Sequence, residues 1–177
     1  MKPETITKQI FKIIPTLLLV ALSAFLLQGD VWTFWTWYLL ALVLGAAAMP
    51  LTGRLFRRFQ DRGWMFSKVT AIAVSGFLTW FLVAVKIIKF TTMTCIVVTL
   101  VCAAASLILY CREQKAGFEC IPFAHLDLVY AEELLFFAAF LLWTYFAGFH
   151  PAAYGTEKFM DYGFMEAMMR STTLPAR

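Results

Sequence analysis

An all-α, polytopic membrane bundle is the fold class this chain predicts, and three observations predict it. Hydrophobic residues make up 62% of its 177 positions, the mean hydropathy is +0.76, and apolar runs approaching bilayer length recur between short polar links. The runs fall at about 10–27, 31–49, 69–85, 91–110 and 134–149, which predicts about five transmembrane helices. Residues 150–177 follow as an extracytoplasmic segment with an acidic motif and a short interfacial helix. A net charge of +4 without any basic stripe interleaved with aromatics excludes nucleic acid as a partner. The basic residues speak to topology instead.

The first run opens behind Lys2, Lys8 and Lys12 and is apolar from Ile13 to Leu27. A basic start and short apolar core also fit a signal peptide, but Ala21-Leu22-Ser23 is a poor cleavage site, so the segment reads as a retained span. Gln28-Gly29-Asp30 is a turn. The second run begins with Trp32, Trp35, Trp37 and Tyr38, amphipathic rings suited to a membrane interface. Pro50 and Gly53 are expected to end it.

Leu51 to Lys68 is the most basic connector, with Arg54, Arg57, Arg58, Arg62 and Lys68 against Asp61. These cations read as topology determinants meeting anionic headgroups, with Asp61-Arg62 as a local pair. The third and fourth runs form a hairpin over the Lys86–Phe90 link. Gly76 and the stretch Ala103-Ala104-Ala105-Ser106 supply small residues for close helix approach. Cys111 to Ala131 reads as a loop and an interfacial segment. Glu132 and Glu133, adjacent acids at the mouth of the fifth run, are costly in hydrocarbon, so at least one should face protein or headgroups.

Orientation follows from counting cations. With the N-terminus in the cytoplasm, the inner segments hold Lys2, Lys8, Lys12, the five connector cations, Arg112 and Lys115, ten against five outside (Lys86, Lys89, Lys158, Arg170 and Arg177). Residues 150–177 are therefore expected on the extracytoplasmic side of a multi-pass cell-membrane protein.

The four cysteines form no disulfide framework: Cys95 and Cys102 lie within a span, Cys111 and Cys120 in a segment expected in the reducing cytoplasm. Cys111, Cys120, His125 and Asp127 lack zinc-finger spacing, and no metal site is assigned. No phosphate loop, dinucleotide fingerprint or nucleophile elbow is present.

Chemistry concentrates in Gly155-Thr156-Glu157-Lys158-Phe159-Met160-Asp161. Pro151 cannot continue the preceding helix, Gly155 permits a turn, and Thr156 is a candidate N-cap for a helix from Glu157 to Arg170. On that helix Glu157 and Asp161 share one face beside Lys158. Acids in a first turn also serve the helix dipole, a purely structural alternative that applies most to Glu157. Phe159, Met160, Phe164, Met165, Met168 and Met169 cover most of the circumference, so the helix should pack on protein or lie at the membrane surface.

The run EELLFFAAFLLW, then GTEKFMD, then FMEAMMRS, resembles the YYY-domain family of large prokaryotic membrane proteins. There a GTEKPMD-like motif follows a transmembrane helix and leads to an AFLNAILRS-like helix. Gln60-Asp61-Arg62-Gly63-Trp64-Met65-Phe66-Ser67-Lys68 looks like that family's DRGxxFxK connector. The resemblance spans about Leu51 to Ser171, with Phe159 where the family has proline, and the family's tyrosine-rich segment is expected downstream of Arg177. It implies a likeness to type C glycosyltransferases, which take sugars from polyprenyl-phosphate carriers and use an extracytoplasmic acid.

Under that resemblance Asp161 is the preferred base for the acceptor hydroxyl, with Glu157 the second candidate, and Lys158, His150 and Arg170 supply positive charge to the leaving phosphate. A divalent metal ion on the carboxylates is the cofactor it suggests. Five helices hardly enclose a carrier groove and an acceptor site, so the module is expected to be completed by another membrane protein chain or a downstream region. The alternative reading is a non-catalytic membrane subunit or scaffold whose Met- and Phe-rich outer helix binds another membrane protein. A transporter is disfavoured because few ionisable residues stand near the middles of the runs.

Overall fold

A computed structural model describes residues 3–118, 120–149 and 158–173, with side chains from Lys12 onward in the first helix and from Met160 onward in the last. The described residues are helical with no strand: α1 Pro3–Leu27, α2 Val31–Leu55, α3 Trp64–Ala84, α4 Thr92–Lys115, α5 Leu126–Gly148 and α6 Lys158–Arg170. Each of the first five exceeds 20 residues, about 30 Å of rise, the thickness of a hydrocarbon core. Among the described residues three stretches are apolar enough to cross a bilayer: Lys12–Leu55, which contains α2 and most of α1, then Trp64–Ala84 and Thr92–Lys115. The helix α5 carries Asp127, Glu132 and Glu133 in its first third and falls outside that set.

A 3-10 turn, Gln28–Asp30, breaks α1 from α2, with Gln28 at φ +43°. Thr91 caps α4, its hydroxyl accepting the Thr94 N–H at 3.2 Å. Paired ends fix the directions of the helices. Lys12 of α1 pairs with Asp127 of α5, and the Tyr130 hydroxyl donates to the Lys12 carbonyl at 2.6 Å, so α1 and α5 start at the same end. The end of α2 meets the end of α4 there too, through Arg54 and Arg57 to Glu113. This basic end gathers the connector cations, and the α3–α4 link and the end of α5 lie opposite.

The core joins α1, α2 and α5. Phe34, Tyr38, Phe137 and Leu141 are buried, with Leu19, Leu26, Leu27, Trp35, Phe136 and Phe140 packed around them. Phe137 stands edge-on to both Phe34 and Tyr38. Lipid-length helices leave many apolar side chains outward, as a bilayer solvent requires.

Three expectations change here. Pro50 and Gly53 do not end α2, which continues to Leu55. The proline forfeits one backbone bond, and the buried Thr52 hydroxyl donates to the Met49 carbonyl at 3.1 Å beside it. Gly53 serves a close crossing instead: a Cβ there would stand 2.3 Å from the Cys120 carbonyl oxygen. Next, α3 starts at Trp64, so Lys68 belongs to a helix and not to a headgroup-facing connector. Gly63, at φ +77° and against Phe56, makes that start possible. Last, most of Cys111–Ala131 is helical, because α4 runs on to Lys115 and α5 begins at Leu126.

Candidate functional site

Two polar regions stand at different heights of the bundle. The first is α6. Its far end meets the rest of the chain through the Phe90 N–H, which donates to the Thr172 carbonyl at 2.8 Å. Phe90 belongs to the α3–α4 link, so α6 is tied to the end opposite the basic one. Asp161 is exposed in its first turn, where a carboxylate suits the helix dipole. Arg170 pairs with Glu166 one turn back. Asp161 and Arg170 are nine residues apart on this helix, about 14 Å of rise, and are not brought together. His150, Glu157 and the candidate cap Thr156 lie outside the described residues, and Lys158 is described by its backbone alone. Met160, Tyr162, Phe164, Met165 and Met169 are all exposed, so these five side chains do not bury themselves on the described body.

The second region lies inside the bundle and joins Lys68, read from sequence as a topology determinant, to Glu133, one of the two acids expected to need a partner. Lys68 is only 3% exposed, and its Nζ stands 2.6 Å from Glu133 Oε2. The indole Nε1 of Trp64 donates to the same oxygen at 2.9 Å. From α2 the Tyr38 hydroxyl donates to Glu133 Oε1, also at 2.9 Å. One carboxylate thus collects an ammonium, an indole and a phenol from two other helices. Lys68 Nζ also sits 4.5 Å from the centre of the Phe136 ring and 4.8 Å from that of Trp64, a partly aromatic lining for its charge. Gly45 admits the lysine stem: a Cβ there would be 2.8 Å from Lys68 Cγ.

This cluster is deep. Glu133 is six residues beyond Asp127, about 9 Å further from the basic end. Gly45 is ten residues from the end of α2, about 15 Å. Beside Glu133, the Glu132 Oε2 oxygen is buried and has no hydrogen-bond partner among the described residues. Asp61 of the α2–α3 connector is 6% exposed, and among the described residues it makes no ion pair with Arg62, against expectation. Arg62 turns away, donating to the Arg57 carbonyl at 2.7 Å. The signal was present in the spacing: Trp64 and Lys68 are four apart on one helix face, and two adjacent acids in an apolar run require buried partners.

Below the cluster, Arg57 and Arg62 stand over the Phe118 ring at 4.4 and 4.9 Å. Cys120 is buried under this layer, and burial, reinforced by the nearby Glu113 charge, pushes its thiol above the ordinary range. Among the described residues no group of three His, Cys, Asp or Glu side chains is placed to hold a metal ion.

No curated protein and no solved structure matches this chain. A family model does, over residues 74–177, a stretch that takes in the second half of α3, the segment after α4 with Phe118 and Cys120, the acid pair of α5 and the whole of α6. Since that match covers more than half of the chain, the protein belongs to the family described as "Uncharacterized membrane protein (DUF2298)".

Proposed function

We propose that this membrane protein is a glycosyltransferase-like module, similar to the YYY-domain proteins and the type C enzymes. It transfers a sugar from a polyprenyl-phosphate carrier at the extracytoplasmic face and is completed by a partner chain or a downstream region. The basic end is cytoplasmic in this reading, and α6 stands on the outer side. The observation that carries it is the state of α6: an exposed acid, Asp161, on a helix whose apolar residues are unpartnered and which is tied to the end opposite the cations.

In the transfer, Asp161 takes the proton of an acceptor hydroxyl, with Glu157 as the second candidate. The hydroxyl oxygen forms a bond to the anomeric carbon while the bond from that carbon to the carrier phosphate oxygen breaks. Lys158 and His150 meet the negative charge that develops on the phosphate, and Arg170 joins them only on leaving Glu166. A divalent ion would have Asp161 as its one described ligand, so no step is assigned to it. The cluster around Glu133 fixes α5, the helix that leads to the acidic segment.

The test is a mild-detergent pull-down of the tagged chain from its native membrane, with mass spectrometry of what co-purifies. A multi-pass partner supplying further helices is expected, and Asp161→Asn in that assembly should abolish sugar transfer. A lone, monodisperse chain without lipid-linked sugar would sink the enzyme reading and leave a scaffold.

A further inference from the structure

We propose that the cleft enclosed by α2, α3 and α4 binds one anionic glycerophospholipid from the leaflet at the basic end. An acyl chain lies in the cleft, an ester carbonyl accepts from the Ser106 hydroxyl, and the phosphate meets Arg54 and Arg112. The small residues Ala103, Ala105 and Ser106, expected to bring helices together, border a cavity of about 370 Å³ instead. Its wall on α4 runs from Thr99 to Leu109, about 15 Å of rise and half of a hydrocarbon core of about 30 Å. That is the depth of one leaflet.

One polar group in this wall is unsatisfied. Ser106 is 7% exposed, and its Oγ has no hydrogen-bond partner among the described residues. Serine and threonine hydroxyls within a helix can donate to a carbonyl one turn back. Ser75 and Thr99, on the same walls, do so to Ala71 and Cys95, each at 2.8 Å. Ser106 forgoes that bond at a depth where water does not replace it, and the acceptor it lacks is one that a ligand brings. Water is a poor occupant: it needs several polar partners, and beyond the two hydroxyls already spent the walls add only Thr70.

Charge selects the lipid. Arg54 follows Leu51 by three residues on α2, and Arg112 follows Leu109 by three on α4, so both continue the cleft-lining faces toward the basic end. Arg54 and Arg57 share Glu113, so with Arg112 the rim sets three cations against one acid. Arg112 is exposed and stands six residues past Ser106, about 9 Å. Side chains on a helix tilt toward its N-terminus, so Arg112 leaves α4 on the cleft side. A phosphate at the rim, an ester carbonyl at Ser106 and a hydrocarbon chain beyond follow the order of groups along one lipid molecule. A neutral lipid would leave the rim unmatched.

The full chain, purified in a mild detergent and stripped of lipid, tests this by native mass spectrometry with phosphatidylglycerol or phosphatidylcholine as the added lipid. Wild type should take up one phosphatidylglycerol saturably and hold it more tightly than phosphatidylcholine. Ser106→Ala, which removes a single oxygen and should still fold, is expected to weaken that binding roughly two- to tenfold, the worth of one hydrogen bond. Ala71→Leu should fill the cavity and abolish saturable uptake, and Arg112→Gln should erase the preference for phosphatidylglycerol. Ile108→Ala, on α4 but outside the cleft and 61% exposed, should bind as wild type does. Equal binding of the two lipids by wild type would overturn the proposal, as would binding by Ser106→Ala as tight as wild type. A dimer without lipid adduct that Ala71→Leu dissociates would also overturn it, because a second copy of the chain would then fill the cleft.

Discussion

Lys68 and Glu133, 65 residues apart in sequence, meet at 2.6 Å inside the bundle and join α3 to α5. The lysine side chain is 4% exposed and the glutamate 18%. Removing one partner of such a pair leaves the other charge buried and uncompensated. Lys68→Met and Glu133→Gln are each expected to destabilise the protein by about 3–5 kcal/mol. The double variant, which leaves no orphan charge, should recover much of that loss. Thermal melting of all four forms in one detergent checks it, and additive losses would mean that the pair does not act as a unit.

The crossing of α2 under Cys120 gives a second expectation. Gly53 faces a backbone carbonyl, which cannot rotate out of the way as a side chain could. Gly53→Ala should therefore cost about 1–3 kcal/mol through overpacking. Gly76, in α3, has nothing within 4 Å of an added Cβ. Gly76→Ala should be neutral, or stabilising by about 0.5–1 kcal/mol, because alanine holds a helix better than glycine. The two melting curves should move in opposite directions.

The same contrast shows what could be read from the sequence and what could not. Helix existence was legible because membrane helices need long apolar runs, and such runs are a local property. The role of Gly53 was not, since a glycine after a proline looks like a helix end until a distant segment, here Cys120, is seen lying against it. Lys68 was misread for a related reason. Counting cations in a connector says which side a loop prefers, but not whether one of its lysines begins the next helix and finds a glutamate. The adjacent acids Glu132 and Glu133 were flagged as needing partners. The partners of Glu133 lie 65 to 95 residues upstream, beyond any local pattern. At the acidic segment, exposure of Asp161 was compatible with its place in a first turn, and the separation of Asp161 from Arg170 follows from helical rise alone.

Cysteine chemistry should divide the chain. Cys111 is exposed, and Cys120 is 1% exposed with its thiol pushed up by burial and by Glu113. A raised thiol value means less thiolate at any given pH, and the thiolate is the reactive form. Near neutral pH a maleimide should label Cys111 in the folded protein and spare Cys120. Cys120 should react only once detergent or heat opens the layer over it. Peptide mapping by mass spectrometry reads both sites, and equal labelling of the two at neutral pH would contradict the burial of Cys120.

The helix α6 carries the last prediction. Phe164 and Met169 are 62% and 81% exposed, so neither contributes to the packed core. Phe164→Ser and Met169→Ser should leave melting of the bundle within about 0.5 kcal/mol of wild type, as surface changes do. If α6 is completed by another membrane chain, these side chains are what that chain covers. The loss of apolar contact then falls on association, where one fully buried large side chain is worth about 1.5–3 kcal/mol. Co-purification from native membranes should drop by an order of magnitude or more while the melting curve stays in place. A shift in melting without a change in recovery would reverse the assignment, showing that α6 packs on its own bundle and leaves Asp161 without a partner surface beside it.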